Sequence, residues 1–372
     1  MTELFIGMMS GTSLDGVDAV LARFPASGEA MQVLAHCHQP YPASLRSELL
    51  ALNRAGDNEL HRCALAGNGV ARSYARLIPE LLAASQLGAR DIVAIGAHGQ
   101  TVRHRPGEFD GCGYTSQLLN GALLAELSGM AVISDLRSRD IAAGGQGAPL
   151  VPAFHRAQFG QAGRDIAVLN IGGISNISLL GRDGATLGYD CGPGNCLMDF
   201  WVAEHLGKDY DDGGTWAASG KILHGLLHEL LSEPYFALPP PRSTGRDLFN
   251  SAWLLRHSVA AKPQDVQATL LELTAVSIIQ SFSTSALNVQ TNIQELLVCG
   301  GGALNGQLMR RLQDLLPGIP VMPTDARGLP VMQVEAAAFA WLAMRFVRGL
   351  PGNLPAATGA AGPRILGALY PA

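Results

Sequence analysis

The stretch that decides the fold is Met9–Asp18, MSGTSLDGVD, which joins two apolar runs, Leu4 to Met9 and Val17 to Leu21. Two apolar runs separated by a short glycine turn predict a β-hairpin. Glycines let backbone N–H groups approach an anion with no Cβ in the way, and the Ser and Thr hydroxyls add donors. Taken alone, the segment fits a phosphate-binding turn and an empty hairpin turn equally well.

Length and composition indicate a large α/β protein. The chain has 372 residues, enough for two domains at roughly 150 residues each. Hydrophobic residues make up 48%, charged residues only 15%, and 44 residues are glycine, which is typical of a well-packed protein rich in turns. The net charge of −5, with scattered Lys and Arg, gives no electrostatic footprint for nucleic acid or an anionic membrane. We therefore expect neither as a partner.

The sequence also bears on location and on cysteine chemistry. No apolar run approaches the ~20 residues of a membrane span, and the first residues lack the basic region of a signal peptide. We expect a cytoplasmic protein. The six cysteines form no C-x-x-C pair, and in a reducing compartment they are expected to be free thiols used in packing.

A second glycine hairpin follows in the middle of the chain. The apolar run Ile166–Asn170 ends in Ile171–Asn176, IGGISN, and a further apolar run, Ile177–Leu180, comes next. Two such hairpins, each opening a series of strands and helices, predict a duplicated fold with phosphate turns facing each other across a cleft. The helix–strand rhythm breaks at Ala142–Pro149, AAGGQGAP. We place the domain boundary there, although an ordinary surface loop fits the same residues.

Several well-known motifs are absent from the sequence. The nearest approach to a P-loop, Gly214–Ile222, has one residue too many between its glycines and Ile where Ser or Thr is needed. Gly300–Gly302 fails the dinucleotide-binding pattern, and Gly11–Asp15 lacks the second Gly of a nucleophile elbow. His224 and His228 do not form a zinc-protease motif, and we expect them on the solvated face of a helix.

Asp190 is the best candidate for a general base. It lies in Gly188–Asn195, GYDCGPGN, which we interpret as a glycine- and proline-rich turn right after a strand, with a helix starting near Cys196. A fixed backbone and an open approach suit a general base. The alternative is an aspartate that merely caps the turn.

Other polar segments are candidates for ligand binding. The strand Glu295–Cys299 runs into Gly300–Gly302, and we expect amides at the start of the following helix, Gly306–Leu316, to contact a nucleotide. The loop Ser243–Asp247 fits either the nucleotide phosphates or a helix cap.

Hydroxyl and guanidinium groups for a polar ligand follow a predicted strand, Asp91–Ala97, and precede the domain boundary. They belong to Thr101, Arg103, Arg137 and Arg139, although each arginine taken singly favours a surface ion pair.

Taken together, these motifs resemble the bacterial 1,6-anhydro-N-acetylmuramic acid kinases. The stretches that carry the resemblance are Met9–Gly16, His98–Thr101, Ala143–Leu150, Asn170–Gly173, Asp190–Asn195, Ser243–Arg246 and Cys299–Ala303. The resemblance implies the sugar kinase, actin and heat-shock ATPase superfamily, with two ribonuclease-H-like domains (the actin-like ATPase fold) flanking a nucleotide and sugar cleft. We assign residues 1–141 with 336–372 to the first domain and residues 142–335 to the second.

The resemblance also implies a reaction and roles for residues. ATP, water and the anhydro sugar from cell-wall (peptidoglycan) turnover would give N-acetylmuramic acid 6-phosphate and ADP, with Asp190 as the catalytic base. Thr101, Arg139 and Glu335 would contact the sugar, and the chain would form a homodimer. Apart from the resemblance, the carboxylates of Asp15 and Asp18 in the first hairpin both suit a metal ion, and we expect Asp15 to hold Mg²⁺. The residues expected to bind ATP are Gly11, Thr12, Ser13, Leu14, Asp15, Gly16, Val17, Asp18, Gly172, Gly173, Asn176, Gly300, Gly301 and Gly302.

Two departures and two alternatives accompany this interpretation. Tyr114–Asn120, YTSQLLN, stands where a Gln-Ile-Gly-Asn-like stretch is expected, and the loop Arg105–Gly113 is longer than expected, so the substrate range is open. The alternatives are a kinase of the same superfamily for another sugar or small acid, and an ATP-gated binding module.

Overall fold

The chain forms two compact units. The computed structural model describes residues 2–11, 13–25, 30–240, 242–245, 248–257, 261–283 and 293–372. The first unit comprises Met1–Gln158 with Gln333–Ala372, and the second comprises Phe159–Met332. The predicted boundaries lay at 141/142 and 335/336, so residues 142–158 and 333–335 fall in the first unit and not the second.

A buried carboxylate explains why residues 142–149 stay with the first unit. Asp140 is fully buried, and its Oδ2 accepts a hydrogen bond from the Gly147 amide at 2.8 Å. Its Oδ1 accepts from Asn353 Nδ2 at 2.7 Å and from Thr358 Oγ1 at 2.8 Å. The glycine-rich segment is therefore tied to residues near the end of the chain, which the sequence pattern alone does not show.

The strands and helices alternate along much of the chain. The strands are β1 (Glu3–Met9), β2 (Gly16–Phe24), β3 (Gln32–Pro40), β4 (Ala94–Ala97), β5 (Gln100–Pro106), β6 (Gly113–Leu118), β7 (Val132–Ser134), β8 (Asp165–Ile171), β9 (Ile174–Leu180), β10 (Thr186–Pro193), β11 (Ile293–Cys299), β12 (Val321–Pro323) and β13 (Ala368–Tyr370). The α-helices are α1 (Ala43–Ala51), α2 (Glu59–Ser85), α3 (Gly121–Ser128), α4 (Ser138–Ile141), α5 (Val151–Phe159), α6 (Cys196–Leu206), α7 (Thr215–Ala218), α8 (His224–Leu231), α9 (Ser251–Arg256), α10 (Pro263–Ser283), α11 (Gly306–Leu315), α12 (Val334–Val347) and α13 (Pro355–Thr358).

The main sheets of the two units share one topology. The first has the strand order β13-β7-β4-β1-β2-β3, and the second has the order β10-β9-β8-β11-β12. In each, the first three strands along the chain run antiparallel and the next two are parallel to the first of them. Two ribonuclease-H-like units are thus present, and the duplication predicted from the two glycine hairpins is confirmed.

Each unit has its own apolar core. In the first, the alternating apolar residues of β1 and β2 pack with the buried face of α2. The opposite face of β1 and β4 is covered by α12, whose backbone comes so close that a Cβ on Gly7 would lie 1.9 Å from the Ala336 carbonyl oxygen. In the second, residues of β8, β9 and β10 pack with α10.

Most predicted elements are confirmed, and one region differs. The segment after β4, expected as polar residues at a strand end, forms a hairpin of its own, with β5 antiparallel to β6. After β11, Gly301–Leu304 form a 3₁₀ turn, and α11 begins only at Gly306 with Asn305 as its N-cap. The helix predicted to start at Gly306 is therefore confirmed, and the 3₁₀ turn lies between it and β11.

Two smaller expectations concern helices and thiols. His224 and His228 are exposed on α8, as predicted, and all six cysteines are free. Among the described helices, none is both long and apolar enough to cross a bilayer.

Candidate active site

The turn between β1 and β2 is held by the segment that follows β4. Ser10 Oγ donates a hydrogen bond to the Gly99 carbonyl at 2.9 Å. Gln100 Nε2 donates to the Gly11 carbonyl at 3.0 Å. Leu14 adopts a left-handed conformation (φ 58°) with its side chain buried. Two distant motifs of the sequence thus meet at the described residues of this turn.

The residues of this turn contribute in different ways. A Cβ on Gly11 would meet only Ser13 Oγ, at 3.6 Å, so the approach to its backbone is open. A Cβ on Gly16 would lie 2.3 Å from the Gln39 carbonyl oxygen, so strand packing accounts for that glycine. Val17 is buried in the core and has only backbone groups to offer. Thr12 lies outside the described residues.

The two carboxylates of the turn differ in exposure. Asp15 is exposed and accepts a hydrogen bond from Ser13 Oγ at 2.8 Å. Asp18 is half-buried, and its Oδ1 lies 3.0 Å from His36 Nε2 and 3.3 Å from His38 Nδ1. The described residues contain no cluster of three or more acidic, His or Cys side chains that forms a metal site. A single exposed carboxylate still fits Mg²⁺, which is commonly held by one or two carboxylates together with substrate phosphates.

The predicted sugar contacts also lie in the first unit. Thr101, at the start of β5, accepts a hydrogen bond on Oγ1 from Gln117 Nε2 at 3.1 Å. Arg139 is exposed on α4. Glu335 lies in the first turn of α12. Burial raises the pKa of Glu335, the positive charge of Arg137 opposes that rise, and the negative charges of the hairpin carboxylates add to it.

Arg103, which the sequence also offered as a ligand-binding cation, is used in the fold. Its Nη2 donates to Glu59 Oε1 at 2.6 Å, and its Nη1 hydrogen-bonds to the Leu52 carbonyl. The ion-pair alternative therefore describes this arginine.

Asp190 lies within β10, before a bulge, and not in a turn after the strand as predicted. Its backbone is fixed on both sides, since its amide donates to the Arg242 carbonyl at 3.0 Å and its carbonyl accepts from Tyr235 Oη at 2.8 Å. Its carboxylate accepts two hydrogen bonds on Oδ2, from the Thr244 amide at 2.9 Å and from Ser243 Oγ at 3.1 Å. In the described part of the chain, both hydrogen bonds that the carboxylate accepts therefore reach Oδ2.

The electrostatic setting of Asp190 suits a base that works near neutral pH. Burial raises the pKa of its carboxyl group from 3.8 to about 6. The hydrogen bonds from Thr244 and Ser243, and then the charge of Arg242, oppose that rise. A carboxylate with such a pKa is ionised at pH 7 and more basic than an ordinary aspartate.

Two asparagines continue this site across the sheet. Asn176 on β9 pairs directly with Asp190 on β10, and Asn170 on β8 pairs with Asn176. Directly opposed residues of antiparallel strands place their side chains on the same face, about 5 Å apart. Asp190, Asn176 and Asn170 therefore form one polar row. The sequence motif contained Asn170, but only the strand register shows that it belongs to the row.

The glycines of the second unit that are predicted to bind ATP lie next to this polar row. Gly300 has φ 78°, and a Cβ there would lie 2.4 Å from Asn170 Oδ1. The carbonyls of Gly172 and Gly173 accept hydrogen bonds from the amides of residues 194–196, which leaves the two hairpin glycines fixed against the start of α6. Gly301 is exposed, and a Cβ on it would meet only Asn195 Nδ2, at 3.6 Å.

The partners of Asp190 were missed by the sequence reasoning. The loop with Ser243 and Thr244 was interpreted as a nucleotide contact or a helix cap, whereas its described residues bind the Asp190 carboxylate. Arg246 of the same motif lies outside the described residues.

Known proteins match this chain over nearly its whole length. The family model described as anhydro-N-acetylmuramic acid kinase matches residues 3–372. The chain belongs to this family. A relative of that name from Variovorax paradoxus (strain S110) is 59% identical, with 100% of this chain and 99% of the relative covered. Another of the same name, from Cupriavidus pinatubonensis, is 56% identical with 99% and 98% covered.

The solved structures that resemble this chain are far more distant in sequence than these relatives. The activator of the 2-hydroxyisocaproyl-CoA dehydratase from Clostridium difficile gives a TM-score of 0.45 at 13% identity, covering 93% of this chain and 96% of that one. A ROK hexokinase from Thermus thermophilus gives a TM-score of 0.36 at 14% identity, covering 92% and 100%. Structural similarities with TM-scores this low support no conclusion about function.

Proposed function

We propose that this chain uses ATP and water to open 1,6-anhydro-N-acetylmuramic acid and to phosphorylate O6, giving N-acetylmuramic acid 6-phosphate and ADP in peptidoglycan recycling. Family membership over residues 3–372 and the high identity to relatives of that name support this proposal. The observation that carries it is Asp190, a carboxylate with a raised pKa, a rigid backbone and hydrogen bonds concentrated on one oxygen.

The reaction requires a base at the anomeric carbon. Water attacks C1 of the sugar, the bond between C1 and O6 breaks, and O6 attacks the γ-phosphorus while the bond to ADP breaks. The attacking water loses one proton, and Asp190 accepts it and later releases it to solvent. Ser243 and Thr244 hold Oδ2, so we assign the proton transfer to Oδ1. A base of this kind contributes ~10²–10⁴ in rate.

We propose that the two glycine hairpins bind ATP. We assign the ATP phosphates to the turn Gly11–Asp18 and to the glycines Gly172, Gly173 and Gly300–Gly302, whose backbones lie at the ends of strands. Asn176, next to Asp190 in the polar row, would add an amide. Asp15 would hold Mg²⁺, which neutralises charge on the transferred phosphoryl group when bound.

The sugar side is assigned to the first unit. Thr101, Arg139 and Glu335 would contact the anhydro sugar, with Glu335 kept close to the charge of Arg137. We further propose that the protein acts in the cytoplasm as a homodimer.

The test is product analysis in ¹⁸O-labelled water. The purified chain is given ATP, Mg²⁺ and the anhydro sugar, and the sugar phosphate is analysed by mass spectrometry at short times. We expect ADP and a sugar 6-phosphate that carries one ¹⁸O at the anomeric carbon. Preformed N-acetylmuramic acid 6-phosphate in the same water is the control, because it measures exchange of the anomeric oxygen without enzyme turnover.

The same assay separates the other activities. An unlabelled product from the anhydro sugar would contradict hydrolytic opening. Phosphorylation of ring-opened N-acetylmuramic acid at a higher rate than the anhydro sugar would favour an ordinary sugar kinase. ATP hydrolysis that no sugar changes would favour a binding module.

A further inference from the structure

The inference concerns His98, a buried histidine that the proposed mechanism does not use. His98 follows β4 directly, and its amide donates to the Met8 carbonyl at 3.0 Å. Only 5% of the residue is exposed. Its ring packs against Phe339 of α12, with ring centroids 4.8 Å apart. The backbone and the ring face are thus both fixed by the core of the first unit.

The hydrogen bonds of the ring decide which nitrogen carries the proton. Arg137 Nε and Nη2 lie 3.1 Å and 3.0 Å from His98 Nε2. A guanidinium only donates hydrogen bonds, so Nε2 must be an unprotonated acceptor. The proton is then on Nδ1, which donates to the Ser10 carbonyl at 3.1 Å. Burial, with the Arg137 charge, lowers the pKa of His98 to about 3, so the ring is neutral at physiological pH.

The two partners of His98 belong to the two sides of the proposed reaction. Ser10 immediately precedes Gly11, where the turn assigned to the ATP phosphates begins. Arg137 donates from Nη1 to the Gly147 carbonyl at 2.8 Å and carries the charge that opposes the raised pKa of Glu335. One ring therefore contacts both the nucleotide turn and the cation beside the proposed sugar contact.

We propose that His98 is a positioning residue, a neutral ring in the Nδ1–H form that fixes the Ser10 carbonyl with one nitrogen and the Arg137 guanidinium with the other. This proposal rests on the proposed function, which assigns the turn to ATP and Glu335 to the sugar. The two nitrogens have separable effects, because each one holds a different segment.

Two substitutions separate the nitrogens. In His98→Asn the amide nitrogen takes the place of Nδ1, so the donor to Ser10 is kept and the acceptor for Arg137 is lost. In His98→Gln the amide oxygen takes the place of Nε2, so the acceptor for Arg137 is kept and the donor to Ser10 is lost. Steady-state kinetics for both substrates and calorimetric titration with ATP measure the consequences.

We expect opposite patterns from the two variants. His98→Asn should lower kcat/KM for the anhydro sugar about tenfold or more, because a hydrogen bond to a charged group is lost, and should leave the ATP Kd within about twofold. His98→Gln should raise the ATP Kd about fivefold, the effect of one neutral hydrogen bond, and should change the sugar constants less. If both variants alter both sets of constants by the same factor, or if neither does, the proposal is overturned.

A matched control and a spectroscopic measurement complete the test. His155 is also a fully buried histidine of the first unit, on α5. His155→Asn should lower the thermal midpoint without splitting the sugar and ATP constants, and a split there equal to that of His98→Asn would contradict the proposal. Long-range ¹H–¹⁵N spectra of histidine-labelled protein should show His98 with its proton on Nδ1 and no titration between about pH 6 and 8. A signal with the proton on Nε2 would overturn it.

These measurements remain informative if the proposed function fails. If the wild-type chain binds ATP but phosphorylates no anhydro sugar, the proposed function is wrong. The ATP titrations of the two variants and the ¹⁵N spectra would still decide the role of His98.

Discussion

Removing the Ser243 hydroxyl should make the Asp190 carboxylate harder to ionise. Ser243 Oγ donates to Asp190 Oδ2 at 3.1 Å, and this hydrogen bond favours the charged form of the carboxyl group. In Ser243→Ala the Thr244 amide still donates to the same oxygen at 2.9 Å. The pKa of Asp190 should therefore rise above its value of about 6.

The size of the shift follows from the geometry. A hydrogen bond to a charged group contributes about 1.5–3 kcal/mol when it is well formed. Ser243 is exposed, its hydrogen bond is long for an O–H donor to a carboxylate, and a water molecule can take its place, so about 0.7–1.4 kcal/mol is the expected loss. One pKa unit corresponds to about 1.4 kcal/mol. The pKa should rise by about 0.5–1 unit.

The assay is the pH dependence of kcat/KM for the anhydro sugar, which reports the ionisation of the free enzyme. The base must be unprotonated, so activity should fall as the pH drops through the pKa of Asp190. We expect the acidic limb of the wild type near pH 6 and that of Ser243→Ala about 0.5–1 unit higher, with similar activity well above both.

A matched serine provides the control. Ser232 is exposed at the end of α8, and its Oγ donates to the Glu229 carbonyl at 2.6 Å. Ser232→Ala should leave the acidic limb where it is. An acidic limb in Ser243→Ala that stays in place, or moves to lower pH, would refute the assignment of this limb to Asp190.

Three further substitutions test the catalytic residue and the close-packed glycines. Asp190→Asn should keep the ATP Kd, measured by calorimetry, and lose ~10²–10⁴ in kcat; near-normal turnover would remove Asp190 from the mechanism. Gly300→Ala should lower the free energy of unfolding in urea by about 2 kcal/mol or more, since its φ is 78° and the Cβ would lie 2.4 Å from Asn170 Oδ1; an unchanged unfolding midpoint would contradict this geometry. Gly7→Ala should reduce soluble yield and the thermal midpoint more severely, because the Cβ would meet the α12 backbone at 1.9 Å, and a wild-type midpoint would show that the helix can move away at little cost.

The glycine hairpins were predictable because the signal for a hairpin is local. The apolar runs and the turn residues that form β1–β2 and β8–β9 are neighbours in the chain, and the register follows from them. The role of each glycine was less predictable. Gly16 was assigned to the phosphates with the rest of the turn, whereas the β3 backbone already explains why no side chain fits there.

The surroundings of Asp190 show where sequence reasoning stops. The sequence predicted a fixed backbone at Asp190, which its hydrogen bonds confirm. The residue lies in β10, however, where a bulge after it interrupts the pairing with β9. A bulge inserts one extra residue into a strand. The apolar pattern of this segment does not reveal that insertion. Its hydrogen-bond donor Ser243 is 53 residues further along the chain, and no periodicity connects positions so far apart.

The helix α12 has a consequence for how the chain is made. Residues Phe159–Met332 form a continuous unit, so the ribosome translates all of it before it reaches α12. In the described part of the chain, the face of β1 that carries Gly7 packs against that helix. At 5–20 residues per second, the intervening unit takes roughly 10–35 s to translate. The packing of β1 against α12 is therefore completed only after the second unit has been translated, and the face of β1 that carries Gly7 lacks this helix during that interval.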